Sequence, residues 1–387
     1  MNILFVRSEI LQVPGTVFAL VRMGHEIEIY HKSSEELEDD EETGRQLGFY
    51  LQSRKPDFVL SNVFTKEVAR TTCRLEIKYA VWSVDSPAYS TWVPEAGFDN
   101  CYLFYFDYKE CELKRQSGCS NVYHLPLAAD IVWSNQLVIT DEEIKKYGCD
   151  MSFVGGLYTQ NRYDQMIELL SPKLQSALSD IMEESAFVWD GQDRLHMPPD
   201  LVRMIKQEHS ELFDYPCAMP DEYFFRTYFM GRKLTQLERT LMMELLTQQY
   251  GIHLYARNTD RVPESVRRFP EISALKEAPK VFYSSKINLN ITLRSIASGV
   301  PARVFDIMSV GGFVLSNWQE EIPELFEEGE EIVTYKTPEE LIDKADYYLR
   351  HDDERIRVGV NGYRKVKERY TYEQQMDKII AILYPSP

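Results

Sequence analysis

Residues 286–321 read KINLNITLRSIASGVPARVFDIMSVGGFVLSNWQEE. Their patterning predicts a strand, a polar loop, a helix, a glycine pair and a second strand, in that order. Ile287, Leu289 and Ile291 alternate with Asn288 and Asn290, the period of two that suits a strand with polar side chains at its carboxyl end. Thr292 to Gly299 then form a polar turn, and Pro301 falls where the first helical residue is expected, since its missing N–H is one the first turn leaves unpaired anyway. The helix should stop at Gly311-Gly312, after which Phe313 to Leu315 restart a buried strand. A loop from a strand's carboxyl end into a helix amino terminus gathers backbone N–H groups and the positive end of the helix dipole, which favours a phosphate. Arg294 would add a planar fork of donors there, and Arg303 and Asp306, three apart, share a helix face.

Four further strings carry the reading outward: VWSVDSP (Val81 to Pro87), HLPLAAD (His124 to Asp130), SFVGGLYTQNR (Ser152 to Arg162) and ERYTYEQQM (Glu368 to Met376). In this order, and spread over about three quarters of the chain, they and the 286–321 stretch resemble the GT-B glycosyltransferases. The resemblance is nearest to the spore-maturation (CgeB-like) family. It implies an α/β fold of GT-B architecture: two Rossmann-like, doubly wound domains facing a cleft. The second domain would bind a nucleotide-diphosphate sugar, and the first would bind the acceptor, a glycan, a protein or a small molecule. The reaction would be the transfer of a hexosyl or related group without a metal ion or other cofactor. The alternatives that share this architecture are a sugar epimerase and a noncatalytic binding protein of a cell or spore surface pathway.

Composition agrees with a soluble globular protein. The chain has 387 residues with 44% hydrophobic content, enough for two cores. Its 61 acidic and 43 basic side chains give a formal net charge of -18, a field that repels nucleic acid and anionic lipid. A nucleotide-sugar is anionic too, so its site must be locally basic; Arg162, Lys286, Arg294 and Arg303 are the candidates. The six cysteines form no C-x-x-C pair and have no histidine at metal-ligand spacing, as expected of reduced cytoplasmic thiols. MNILFVRSEI reads as a first buried strand rather than a signal peptide. No apolar run approaches the ~20 residues of a membrane span.

Apolar runs recur at Ile3 to Val6, Ile27 to Tyr30, Phe58 to Leu60, Tyr79 to Trp82, Tyr102 to Phe106 and Val122 to Leu125, with helix-like stretches between most of them. This is the pattern of a parallel doubly wound sheet, whose ligands lie beyond the strands' carboxyl ends; Arg7 to Thr16, with a loop through Pro14-Gly15, should therefore face a ligand. The acidic run Ser33 to Gln46 reads as a solvated face or loop. Periodicity weakens around Asp130 to Tyr147, the expected domain crossing. A second sheet begins at Met151 to Val154, residues 163–249 read as mainly helical, and strands return at Ile252 to Tyr255, Ile287 to Ile291, Phe313 to Leu315 and Ile332 to Val333. The expected domains are residues 1–135, 150–367 and a returning C-terminal helix over 368–387.

The resemblance assigns Asp306 to the ribose hydroxyls, because a carboxylate accepts from two adjacent hydroxyls at once; without that role it is a helix-surface acid. Retaining relatives often carry a second acid eight positions earlier, where this chain has Ser298. Gly155-Gly156 with Arg162 matches the glycine turn that opens the second domain, where glycine permits positive φ or close approach of a ligand; a tight turn alone would use the same residues. Asn290 and Ser295 lie in the strand end and loop expected to meet the donor. Asp85, in a loop after an apolar strand, is the candidate base for an acceptor hydroxyl, with turn capping as its alternative role. His25 and His124 read as structural. There is no serine-hydrolase triad signature, no phosphate-loop motif and no Asp-x-Asp metal pair.

Overall fold

The computed structural model describes residues 1–7, 13–31, 41–191, 195–215, 218–259 and 262–385. It divides into two compact α/β units, one formed by Met1–Asp130 with Arg369–Pro387 and the other by Ile131–Glu368.

The first unit holds β1 (Asn2–Arg7), β2 (Glu26–His31), β3 (Phe58–Ser61), β4 (Lys78–Trp82), β5 (Cys101–Tyr105) and β6 (Val122–His124), all parallel in the order β2-β1-β3-β4-β5-β6. β3 and β4 are buried almost throughout because helices cover both faces of a parallel sheet. Side chains from β1, β3, β4 and β5, among them Leu4, Val59, Tyr79, Val81 and Leu103, form one continuous core. Pro14-Gly15 lie in the first turn of the helix Val13–Arg22 rather than in a loop, a position that tolerates proline. Part of the Arg7 to Thr16 segment and most of the acidic run from Ser33 lie outside the described residues. The helix Tyr372–Leu383 completes this unit. Thr371 and Gln374 start it with a reciprocal capping box, and Tyr372, Gln375, Met376, Ile379 and Leu383, three or four apart, form its buried face. Gln375 is fully buried and donates to the Pro126 carbonyl at 2.9 Å, so even its amide is satisfied.

The second unit holds β7 (Cys149–Val154), β8 (Ile252–Tyr255), β9 (Arg267–Phe269), β10 (Ser285–Asn290), β11 (Val314–Asn317) and β12 (Val333–Tyr335), parallel in the order β12-β11-β10-β7-β8-β9. Numbered within the unit, this is the Rossmann order 3-2-1-4-5-6. Consecutive strands β7 to β9 run outward one way and β10 to β12 the other. The chain therefore reverses direction between β7 and β10, and the loops leaving those two strands diverge there. Residues 131–147, where periodicity weakens, contain two short helices, Ile131–Gln136 and Asp141–Tyr147. β9 was not expected from the sequence; it is a three-residue edge strand whose two arginines are exposed. The 163–249 region is helical around its breaks, with a π-helical segment Phe225–Met230 running directly into the helix Gly231–Thr247.

Candidate functional site

Ligands of open α/β sheets lie in the crevice beyond the strand carboxyl ends where strand order reverses. In the second unit that crevice lies between the loop after β7, beginning at Gly155, and the loop after β10, beginning at Ile291. The two loops are joined from beneath by one side chain. Arg239, in the helix Gly231–Thr247, donates from Nε to the Ile291 carbonyl at 3.0 Å, and its terminal nitrogens donate to the carbonyls of Ile291 and Gly156. Its guanidinium lies over the rings of Phe153 and Tyr158. Burial lowers its pKa, and the like charge of Arg303 lowers it further, while Tyr158 and Glu238 oppose the shift.

The same helix holds the β10 loop. Gly231, Thr235, Glu238 and Arg239 recur at the three- and four-residue spacing of one helical face. A Cβ on Gly231 would lie 3.1 Å from the Ser295 backbone nitrogen and 3.3 Å from the Arg294 carbonyl carbon, so glycine is what allows the loop to sit against the helix. Thr235 Oγ accepts the Arg294 backbone N–H at 2.9 Å. Glu238, with no exposed surface, takes Arg294 Nε at 2.9 and 3.0 Å and a terminal nitrogen at 2.5 Å, and accepts the Phe187 N–H at 3.1 Å. Beneath the crevice lie two arginines, Arg239 and Arg294, against one buried carboxylate, Glu238. Arg303 brings a further positive charge toward Arg239.

Several expected residues take different places. Arg294 does not present its fork to the crevice: it is a bidentate partner of Glu238, also donates to the Ser185 and Val188 carbonyls, and packs on Trp189. Lys286 is at the amino end of β10, the opposite edge of the sheet from the crevice, and pairs with Asp150 at 2.9 Å. Asn290 is buried and its amide bonds Ser316 Oγ at 2.8 Å and Thr292 Oγ1 at 3.1 Å; Asn288 likewise accepts from Ser152. The polar face of this strand thus sews neighbouring strands together instead of meeting solvent. Pro301 is the residue before the helix Ala302–Met308 and not its first member. Neither Gly155 nor Gly156 has a positive φ, and a Cβ on Gly156 would meet nothing within 4 Å; conformation and packing do not require glycine there, which leaves room for a ligand as its use.

Others lie on the loops after β7 and β10 or on the helices that follow them. Ser295 is buried in the β10 loop. Arg303 and Asp306 pair at 3.3 Å on the helix Ala302–Met308, with Asp306 nearly half exposed. Arg162 opens the helix Arg162–Ile167, and its guanidinium and that of Arg232 both lie over the Tyr228 ring, which belongs to the π-helical segment. Ser298, where the resemblance leads one to look for an acid, donates to Glu321 Oε1 at 2.6 Å, and Glu321 is buried in the loop that follows β11. A carboxylate from another strand's loop thus lies against Ser298. Arg239, Glu238 and Glu321 were all missed from the sequence; the signal for the first two was the sharing of one helical face by Gly231, Thr235, Glu238 and Arg239.

In the first unit Asp85 is exposed beyond β4, in a turn where Ser83 Oγ donates to the Asp85 carbonyl at 3.1 Å. Among the described residues no group of three or more His, Cys, Asp or Glu is placed to hold a metal ion, and no helix is long and apolar enough to cross a membrane.

Residues 236–381 match a family described as glycosyl transferase-like. No curated protein matches the chain. Among solved structures, HepE of Anabaena, in complex with UDP and glucose, aligns with a TM-score of 0.57 at 11% identity, covering 98% of this chain and 99% of its own. The sucrose-phosphate synthase of Thermosynechococcus elongatus aligns at 0.54 and 9%, covering 99% of each chain. A glycosyltransferase from Rickettsia africae aligns at 0.51 and 9%, covering 100% of this chain and 99% of its own. The chain therefore has the α/β fold of GT-B glycosyltransferases, built from two Rossmann-like units, and its residues 236–381 are similar to the glycosyl transferase-like family.

Proposed function

We propose that the protein is a GT-B glycosyltransferase that moves a hexosyl or related group from a nucleotide-diphosphate sugar to a glycan, protein or small-molecule acceptor. The observation that carries this reading is the β7–β10 crevice, where the buried Arg239 guanidinium joins the two diverging loops. A guanidinium fixed there, poorly screened because it is buried, favours a diphosphate and stabilises it as a leaving group. UDP, which HepE binds, is the first donor nucleotide to test.

In this reading the second unit holds the donor. Open space at Gly156 admits the diphosphate, Arg303 and Arg162 contact it, and the Asp306 carboxylate accepts from the ribose hydroxyls. Ser298 and Glu321 face the donor sugar. Arg294 is a positioning residue that fixes the β10 loop. The first unit binds the acceptor, and Asp85 takes the proton from its hydroxyl if the reaction inverts the anomeric centre. The strings shared with the spore-maturation (CgeB-like) family support membership in it, and a cytoplasmic location suits the free cysteines. Because arginines supply the charge that a divalent ion would otherwise bring, turnover needs no metal. The test is nucleoside diphosphate release from a panel of nucleotide-sugars in EDTA: release from at least one donor is expected, whereas activity that appears only on adding magnesium or manganese contradicts the metal-free part.

A further inference from the structure

A second group of buried charges lies in the first unit, directly beneath the turn that carries Asp85. Asp107 caps the helix Tyr108–Gln116 by accepting the Glu110 backbone N–H at 3.4 Å. Asp107, Glu110 and Lys114 follow at three- and four-residue spacing, and all three are at least 98% buried. Each holds the 86–91 segment at a different point. Ser86 Oγ donates to Asp107 Oδ2 at 2.8 Å, the Ala88 N–H donates to Glu110 Oε1 at 2.7 Å, and Lys114 Nζ donates to the Thr91 carbonyl at 2.7 Å while lying over Trp92. Thr91 Oγ1 closes the segment on itself through the Ala88 carbonyl at 2.8 Å.

Two carboxyl groups against one ammonium, all out of water, is an arrangement that folding alone does not favour, since an apolar core would hold a turn at lower cost. The second Glu110 oxygen, Oε2, has no hydrogen-bond partner among the described residues, a state far less costly for a neutral acid than for a carboxylate. We propose that Asp107 and Glu110 are positioning residues that clamp the Ser86–Ala88 turn, thereby fixing Asp85 at the carboxyl end of β4; the link to catalysis rests on the reading of Asp85 given above.

The charge environment supports this. Burial, and then the charge of Asp107, push the Glu110 carboxyl up to about 8, against the Ala88 N–H, Ser86 and Lys114. Tyr105 on β5 faces the same space, and its own pKa is raised by burial and by Glu110. Glu95, nearby in sequence, is held by Arg70. Around neutral pH Glu110 keeps its proton. At higher pH a second buried anion forms beside Asp107, and repulsion loosens the turn.

Amide hydrogen exchange of residues 83–92, corrected for intrinsic base catalysis, reads the clamp without any assay of transfer. In the wild type, protection should fall about tenfold between pH 7 and pH 9. Glu110→Gln keeps the shape and the Ala88 contact but cannot ionise, and should hold its protection flat. Asp107→Asn keeps the helix cap and removes the charge that repels ionised Glu110, so the fall should be smaller than in the wild type. A flat wild-type profile, or a Glu110→Gln profile that falls like the wild type, overturns the clamp; if Glu110→Gln does not fold, the Asp107→Asn profile decides in the same way. The ratio of turnover at pH 9 to that at pH 7 should also be higher in Glu110→Gln than in the wild type. Near-normal turnover in a folded Asp85→Asn, with the exchange pattern intact, would keep the clamp and remove Asp85 as base.

Discussion

Arg294 shows how far a residue read correctly in its motif can differ in its task. The sequence placed it in a polar loop before a helix, and the structure puts it there, but its donors meet Glu238 from a helix more than fifty positions earlier in the chain. A fork of donors read from sequence has no visible partner, so a ligand is the natural guess; only the close approach permitted at Gly231 shows that the partner is protein. Removing Arg294 should therefore act first on stability. Arg294→Ala leaves a fully buried carboxylate unpaired, and the unfolding free energy from denaturant titration should drop by about 3–5 kcal/mol. Adding Glu238→Gln should restore part of the loss. An Arg294→Ala protein of wild-type stability that fails only to bind nucleotide would return Arg294 to the ligand. Glu110 gives a second residue-scale prediction. Its folded pKa of about 8 lies above the ordinary ~4.3 of an unfolded chain, so the stability it contributes is complete below the lower value and is lost as pH rises through the higher one. Stability should decline from pH 5 to pH 9 in the wild type, and less in Glu110→Gln; equal slopes would contradict the assignment.

Among elements, the strands were largely legible because parallel buried strands are short apolar runs bounded by polar loops, as at Phe58–Ser61 and Val314–Asn317. β9 was not, since Arg267 and Arg268 give an edge strand no apolar face to announce it. The helix Gly231–Thr247 was expected, while its role was not. Its apolar face of Leu234, Met242, Met243 and Leu246 is the periodic signal, and the interruption by Gly231, Thr235, Glu238 and Arg239 is where it supports the crevice. Gly231→Val tests that support. The added side chain must displace backbone at Ser295 and Arg294, and UDP affinity should weaken about tenfold, or ~1.4 kcal/mol, in a protein that still unfolds cooperatively. Unchanged affinity would show that the β10 loop tolerates displacement without loss of the site.

For the molecule as a whole, the two Rossmann-like units follow from alternating apolar runs and helices, while strand order lay beyond that pattern. The order matters because it sets the reversal between β7 and β10, and with it a crevice where diverging loops, helix-borne arginines and open space at Gly156 coincide. The most direct measurement is a calorimetric titration of the wild type, Arg303→Ala and Asp306→Ala with UDP, UDP-glucose and uridine in EDTA. The wild type should bind UDP at least tenfold more tightly than uridine. Arg303→Ala should reduce that preference, and Asp306→Ala should weaken UDP and uridine alike. Across a panel extended to the other nucleoside diphosphates, no binding by the folded wild type, or equal affinity for nucleoside and diphosphate, would contradict a diphosphate site between β7 and β10.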